Sequence, residues 1–233
     1  MKSSSRPARF SKPVAARPSS GRPTPAESVR GEPIETASAV PLPRPAPLRT
    51  DLVEAQEGFL LCIDLQPVFL TAIPDGPRIQ ARCAFALEAA KGAHLPVLFT
   101  EQVPTKLGGT APDLLARCDT PEAFGKDAFS AFGSEKIAAR LRASGAKHLF
   151  LCGVETPICV YQTARDALNA GYHVTVLADC VGARRTNDAA TVLSQLRHVG
   201  CAVLPAETVF YSLLKNARHH FFRDYTALVK KYG

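Results

Sequence analysis

Beyond Gly58 the chain alternates between two hydrophobic rhythms. Short apolar runs without polar alternation stand at Phe59–Ile63, Pro96–Thr100, Lys147–Cys152, His173–Ala178 and Cys201–Leu204. Runs of this kind predict strands covered on both faces. Between and after them lie stretches with helical periodicity, near 78–91, 134–143, 186–198, 207–214 and 220–231. Strands alternating with helices of this length imply crossover units, and so an α/β fold with a mostly parallel sheet.

One stretch organises the rest, Leu149 to Asp179. It reads as strand, tight turn, helix and strand. Gly153 ends the first strand, Thr156 is a candidate cap, Pro157 suits a first helical position, and Gly171 stops the helix. Cys159 then falls at the helix start, where the positive end of the helix dipole is expected to favour a thiolate. The plainer reading of Cys159 is a buried structural thiol.

Two further polar residues stand at comparable places. Asp64 follows the first apolar run, and Lys126 follows a long stretch, 101–123, that holds three prolines and Gly108-Gly109. Parallel α/β sheets place their sites at the C-terminal ends of strands, so Asp64, Lys126 and Cys159 can converge there. A carboxylate would take the thiol proton and an ammonium would hold the charges. Asp64 would otherwise be an ordinary turn residue. Cys62, Cys152 and Cys180 also lie near strand ends and are rival nucleophiles; only Cys159 is placed at a helix start. Arg184-Arg185 would suit an anionic group, or be simply solvated. No Gly-x-Gly-x-x-Gly follows a strand, which argues against dinucleotide binding.

Charge changes the picture only once it is located. The net +7 over 233 residues divides into +6 for residues 1–50 and +1 for 51–233. The N-terminal 50 residues hold ten of the nineteen prolines and few large apolar side chains. They read as a disordered basic tail ahead of a domain spanning 51–233. Any nucleic-acid contact would rest on that tail. Seven scattered cysteines without a Cys-x-x-Cys pair, and no secretory apolar segment, point to a reducing cytoplasmic setting. The alternative is an organelle such as the mitochondrion, should residues 1–50 act as a transit peptide. No run approaches the length of a membrane span.

The blocks LLCIDLQPVF, FTEQVPTKLGGT, KDAFSAF, CGVETPICVYQTARDALNAGYHVTVLAD and, later, LRHVGC and ETVFYSLL resemble the isochorismatase-like cysteine hydrolase superfamily, in the family's order. Thr100-Glu101-Gln102 and the Gly153–Thr156 turn resemble its hydrolases of unassigned substrate. The resemblance implies a three-layer α/β/α isochorismatase-like fold. It implies Asp64 as general base, Lys126 as orienting cation and Cys159 as nucleophile. It also implies a cis peptide between Val154 and Glu155, and an oxyanion hole from the backbone N–H groups of Glu155 and Cys159. Gln66, Phe69, Gln102 and Ile158 would line the substrate pocket.

The chemistry so implied is thiolate attack on a small amide or related C–N substrate, with a covalent intermediate and no cofactor or metal. A small-molecule substrate and a homo-oligomer are the expected partners. Members with Gly for Cys cleave a vinyl ether, so Cys159 argues against isochorismate. Pro157 stands where the subgroup often has His, which is expected to alter one pocket wall. The six histidines (94, 148, 173, 198, 219, 220) read as surface or satisfied structural residues, against a metal-dependent nicotinamidase. Two alternatives remain beside the hydrolase: an idle homologue that binds partners through the tail, and a nicotinamidase-like amidase.

Overall fold

The computed structural model describes residues 57–233, so the tail assigned to residues 1–50 and the domain start near 51 lie outside the described residues. In chain order the elements are β1 (Gly58–Ile63), α1 (Pro67–Leu70), α2 (Gly76–Gly92), β2 (Val97–Gln102), α3 (Pro104–Leu107), α4 (Pro112–Leu115) and β3 (Ala123–Lys126). There follow α5 (Glu135–Ala143), β4 (His148–Val154), α6 (Tyr161–Asn169), β5 (His173–Gly182), α7 (Thr186–His198), β6 (Ala202–Leu204), α8 (Ala206–Leu214) and α9 (Phe222–Tyr232).

Six strands form one sheet in the order β3-β2-β1-β4-β5-β6, and every pairing is parallel. Strand alternation divides the core in two. Leu60, Cys62, Phe99 and Cys152 pack with Ile79 and Phe85 of α2, Phe210 of α8 and Tyr225 of α9. Phe59, Leu61, Leu149 and Leu151 pack on the other face with Ile137 and Leu141 of α5, Ala164 of α6 and Leu196 of α7. The result is the expected three-layer α/β/α sandwich. Charge suits the helix dipoles: α5 has Glu135 in its first turn and Arg140 and Arg142 in its last.

The strand order matters for function. β1 lies between β2 and β4, so the chain reverses its direction of travel across the sheet at the β1–β4 pair. At such a switch point the loops leaving the two strands diverge and open a crevice beyond their C-terminal ends. Asp64 leaves β1 there, and the turn that carries Cys159 leaves β4 there.

Several expectations are corrected. Stretch 101–123 is not one loop: β2 runs on through Gln102, and α3 and α4 occupy much of the remainder. Lys126 ends a strand, β3, that has no apolar run of its own; pairing with β2 makes it extended. β5 runs past the apolar run that ends at Ala178, so that Val181 and Gly182 pair with Gly153 and Val154. Cys159 stands at the helix start as expected, but in a wider turn than an α-turn, one that runs directly into α6. Thr156–Val160 is a single wide turn in which Val160 N donates to Glu155 O, five residues back, at 3.2 Å. Glu155, not Thr156, occupies the cap position, and the Thr156 hydroxyl is buried without a hydrogen-bond partner. His148 is not a fully satisfied residue: its ring Nε2 meets Thr175 Oγ1 at 2.7 Å, but its Nδ1 is buried and unpartnered. Burial pushes its pKa down to about 4.

Candidate active site

Register builds the polar cluster. Ile63 pairs with Thr100, and Gln102 pairs with Lys126, so three neighbouring parallel strands end side by side. Asp64 takes a left-handed conformation (φ 51°), which Asp tolerates better than most residues. Its Oδ2 accepts from Lys126 Nζ at 2.8 Å, and its Oδ1 accepts from Thr100 Oγ1 at 2.7 Å. Lys126 also donates to Gln102 Oε1 at 2.6 Å and to Ala128 O at 3.2 Å. All three ammonium N–H groups are thereby used. The side chains of Lys126 and Asp64 are 0% and 1% exposed, so this is a buried pair whose lone pairs and protons are satisfied.

Gln66 sits behind this cluster. It is fully buried, accepts from Gln102 N at 2.7 Å, and donates to Gln102 O at 3.1 Å and Gly108 O at 2.6 Å. It ties the end of β2 to the following loop and does not line the cavity that holds Cys159. Gln102 in turn donates to Asp127 O at 2.8 Å and holds the Lys126 segment.

On the β4 side, Gly153 has φ 115°, and a Cβ there would lie 2.0 Å from Ile63 O. Only glycine lets β4 pass that close to β1 while its register with β5 shifts between Leu151 and Gly153. The chain then enters the Val154–Glu155 peptide, which is cis, and the wide turn bearing Cys159. Asp64, Phe69, Gln102, Ile158 and Cys159 all line one cavity of about 370 Å³. Val68, Ala72, Phe129, Val154, Glu155 and Arg184 complete its wall. Pro157 lines a neighbouring depression with Arg185 and Asp188 instead, so it does not alter the wall of the Cys159 cavity as expected.

The electrostatics also correct an expectation. Cys159 is 7% exposed, and burial pushes its thiol pKa up to about 12, with the Asp64 charge adding to the rise and Lys126 opposing it. Loss of water and the nearby carboxylate thus favour the neutral thiol over the thiolate, against the pull of the helix terminus. Burial likewise raises the Asp64 pKa, with Lys126 opposing. The rival cysteines 62, 152 and 180 are fully buried within the opposite half of the core. Sequence reasoning missed Thr100 as a partner of Asp64 and did not place Arg184 at the cavity. The Thr100 contact was readable only once the β1–β2 register was known.

The Isochorismatase domain model matches residues 59–208. The chain belongs to the isochorismatase family. As a member it is 34% identical over 178 residues to isochorismatase domain-containing protein 2 of Xenopus laevis, covering 76% of this chain and 85% of that one. Among solved structures, the MAR1 ribonuclease of Caenorhabditis elegans superimposes with a TM-score of 0.73 at 26% identity, covering 77% of this chain and 93% of that one. The Escherichia coli YcaC gene product, described as an octameric hydrolase of unknown specificity, shares the fold at a TM-score of 0.67 and 22% identity, covering 77% and 95%. This is the isochorismatase-like α/β hydrolase fold. Among the described residues, no group of three or more His, Cys, Asp or Glu is arranged to hold a metal ion. Nor is any described helix long and apolar enough to cross a membrane.

Proposed function

We propose that the protein is a cysteine-dependent hydrolase of a small amide or related C–N compound, acting through Cys159. The observation that carries this reading is that Cys159 and Asp64 open onto one cavity, with Lys126 buried behind Asp64. Cys180 has the Asp179–Arg82 pair beside it, but it is fully buried, and none of Cys62, Cys152 and Cys180 lines this cavity. A neutral thiol beside an ionised carboxylate is arranged for general-base attack. Asp64 takes the Cys159 proton as Sγ bonds to the substrate carbonyl carbon and the C=O π pair moves onto oxygen. The oxyanion would be held by the backbone N–H groups of Glu155 and Cys159, two residues that line the cavity.

Collapse of the tetrahedral species breaks the C–N bond, and Asp64 returns its proton to the leaving nitrogen. Ammonia or an amine departs and leaves a thioester on Cys159. Asp64 then takes a proton from water as it attacks; the acid is released and the thiol restored. Lys126 keeps Asp64 aligned and offsets its charge whenever it is ionised. The mostly apolar wall, with Phe69 and Ile158, suits a compact acyl group.

A screen of primary amides and ureides against wild type and Cys159→Ala tests this. Turnover by wild type alone is expected; turnover that survives the substitution would remove Cys159 as nucleophile. The octameric E. coli neighbour supports extending the proposal to a homo-oligomer, checked by sedimentation.

A further inference from the structure

Two cations stand at the site, and they differ in what they have left to give. Lys126 spends its three N–H groups on Asp64, Gln102 and Ala128. Arg184 leaves the loop after β5 and lines the same cavity as Cys159. Its Nε donates to Glu155 Oε1, an ion pair in which the Arg184 side chain is 60% exposed and the Glu155 side chain only 11%. Among the described residues the terminal nitrogens of Arg184 make no hydrogen bond. One edge of the fork is therefore anchored, while the terminal N–H groups remain available at the cavity mouth. Guanidinium N–H pairs match the two oxygens of a carboxylate. Arg184 also borders the adjoining depression with Arg185, which leaves room for a substituent to reach it without entering the apolar wall.

From this we infer that Arg184 is a specificity-determining residue, and that the substrate carries a carboxylate at the end remote from the bond cleaved at Cys159. The inference rests on the proposed Cys159 chemistry for which end of the substrate is which. Its physical basis, an anchored guanidinium with unspent donors beside a small apolar cavity, stands apart from that chemistry. Glu155 offsets the Arg184 charge, so recognition depends on the geometry of the fork rather than on net positive potential. The occupant is then a monoanion of modest size, with an apolar spacer between carboxylate and amide.

The test is binding, so that it does not depend on turnover. The probes are the monoamides of succinic, glutaric and adipic acids, each paired with its neutral diamide, titrated calorimetrically into the full-length Cys159→Ala protein. At least one monoamide should bind about tenfold more tightly than its diamide, the scale of a hydrogen bond to a charged group. Adding Arg184→Gln should reduce that ratio to about one, and Arg184→Lys, which keeps the charge but loses the fork, should leave an intermediate ratio. Unchanged thermal melting of the Arg184 variants would show that they fold. A ratio near one for every pair in the Cys159→Ala protein, or a preference that persists in the Gln variant, overturns the inference. Turnover by Cys159→Ala with an intact Arg184-dependent ratio would instead overturn only the nucleophile.

Discussion

Cys159 and the Cys62–Cys152 pair are both buried thiols at the β1–β4 junction, yet they lie on opposite faces of the sheet in different chemical company. Cys62 and Cys152 are register partners on adjacent strands, and the Cys152 thiol donates to Cys62 Sγ at 3.4 Å. Burial holds the Cys62 thiol well above its ordinary pKa. Cys159 is pushed up too, to about 12, and by the same leading cause. Burial alone therefore does not separate a working cysteine from a structural one. What separates them is that Cys159 lines a cavity together with the Asp64 carboxylate, which under the proposed function takes its proton, whereas Cys62 and Cys152 line no such cavity.

The largest effect should come from exchanging roles across this divide. Cys159→Ala is expected to reduce kcat by at least about 10³-fold, as for other covalent nucleophiles, measured in single-turnover assays on whichever amide wild type cleaves. Cys152→Ala should leave kcat within about threefold and lower stability by about 1 kcal/mol for the small void it leaves, read by urea melts. Equal losses for the two would erase the distinction.

Asp64→Asn comes next. Without the base, kcat should fall by about 10²-fold or more, and Lys126 is left buried without its counter-charge. Stability should fall by about 3 kcal/mol, the scale for breaking one side of a buried pair. Asp64→Asn with unchanged turnover would leave the carboxylate a structural role only.

The pH profile sharpens the same point. Asp64 must be ionised to accept the thiol proton, so activity is lost as pH falls through its pKa. Burial raises that pKa, so the acid limb of kcat/KM should lie above the value of an ordinary Asp. An acid limb at or below the ordinary value would contradict the buried geometry. The smallest expected effect is in the supporting structure. Gly153→Ala sets a Cβ against Ile63 O at positive φ, and should cost about 2 kcal/mol of stability, with kcat reduced as the turn is displaced.

Much of this was legible before any coordinates, for identifiable reasons. β1 and β4 are unbroken apolar runs because both faces are covered, and Asp64 and Cys159 follow them directly. β3 was not legible: Ala123, Phe124, Gly125 and Lys126 have no strand pattern and are extended only because Phe99–Gln102 pair with them. Gln66 reads as a pocket residue in one dimension and proves to be a strut, since its donors and acceptor meet Gln102 and Gly108 across a register that the sequence does not print. The helix-start position of Cys159 is legible in the sequence, but its burial beside Asp64, which opposes the helix-terminus effect on the thiol, is not. Arg184 was equivocal because adjacent arginines look alike until one is seen anchored to Glu155 and the other near Asp188.

The claim that Asp64 activates Cys159 can be tested most directly without knowing the substrate. Iodoacetamide is a small amide electrophile, and its sites of attack can be followed by peptide mass mapping at neutral pH in wild type and Asp64→Asn. Cys159 should be alkylated before the half-buried Cys118 and all other cysteines, and its rate should drop when Asp64 is replaced. Earlier labelling of Cys118, with a Cys159 rate indifferent to Asp64, would contradict it.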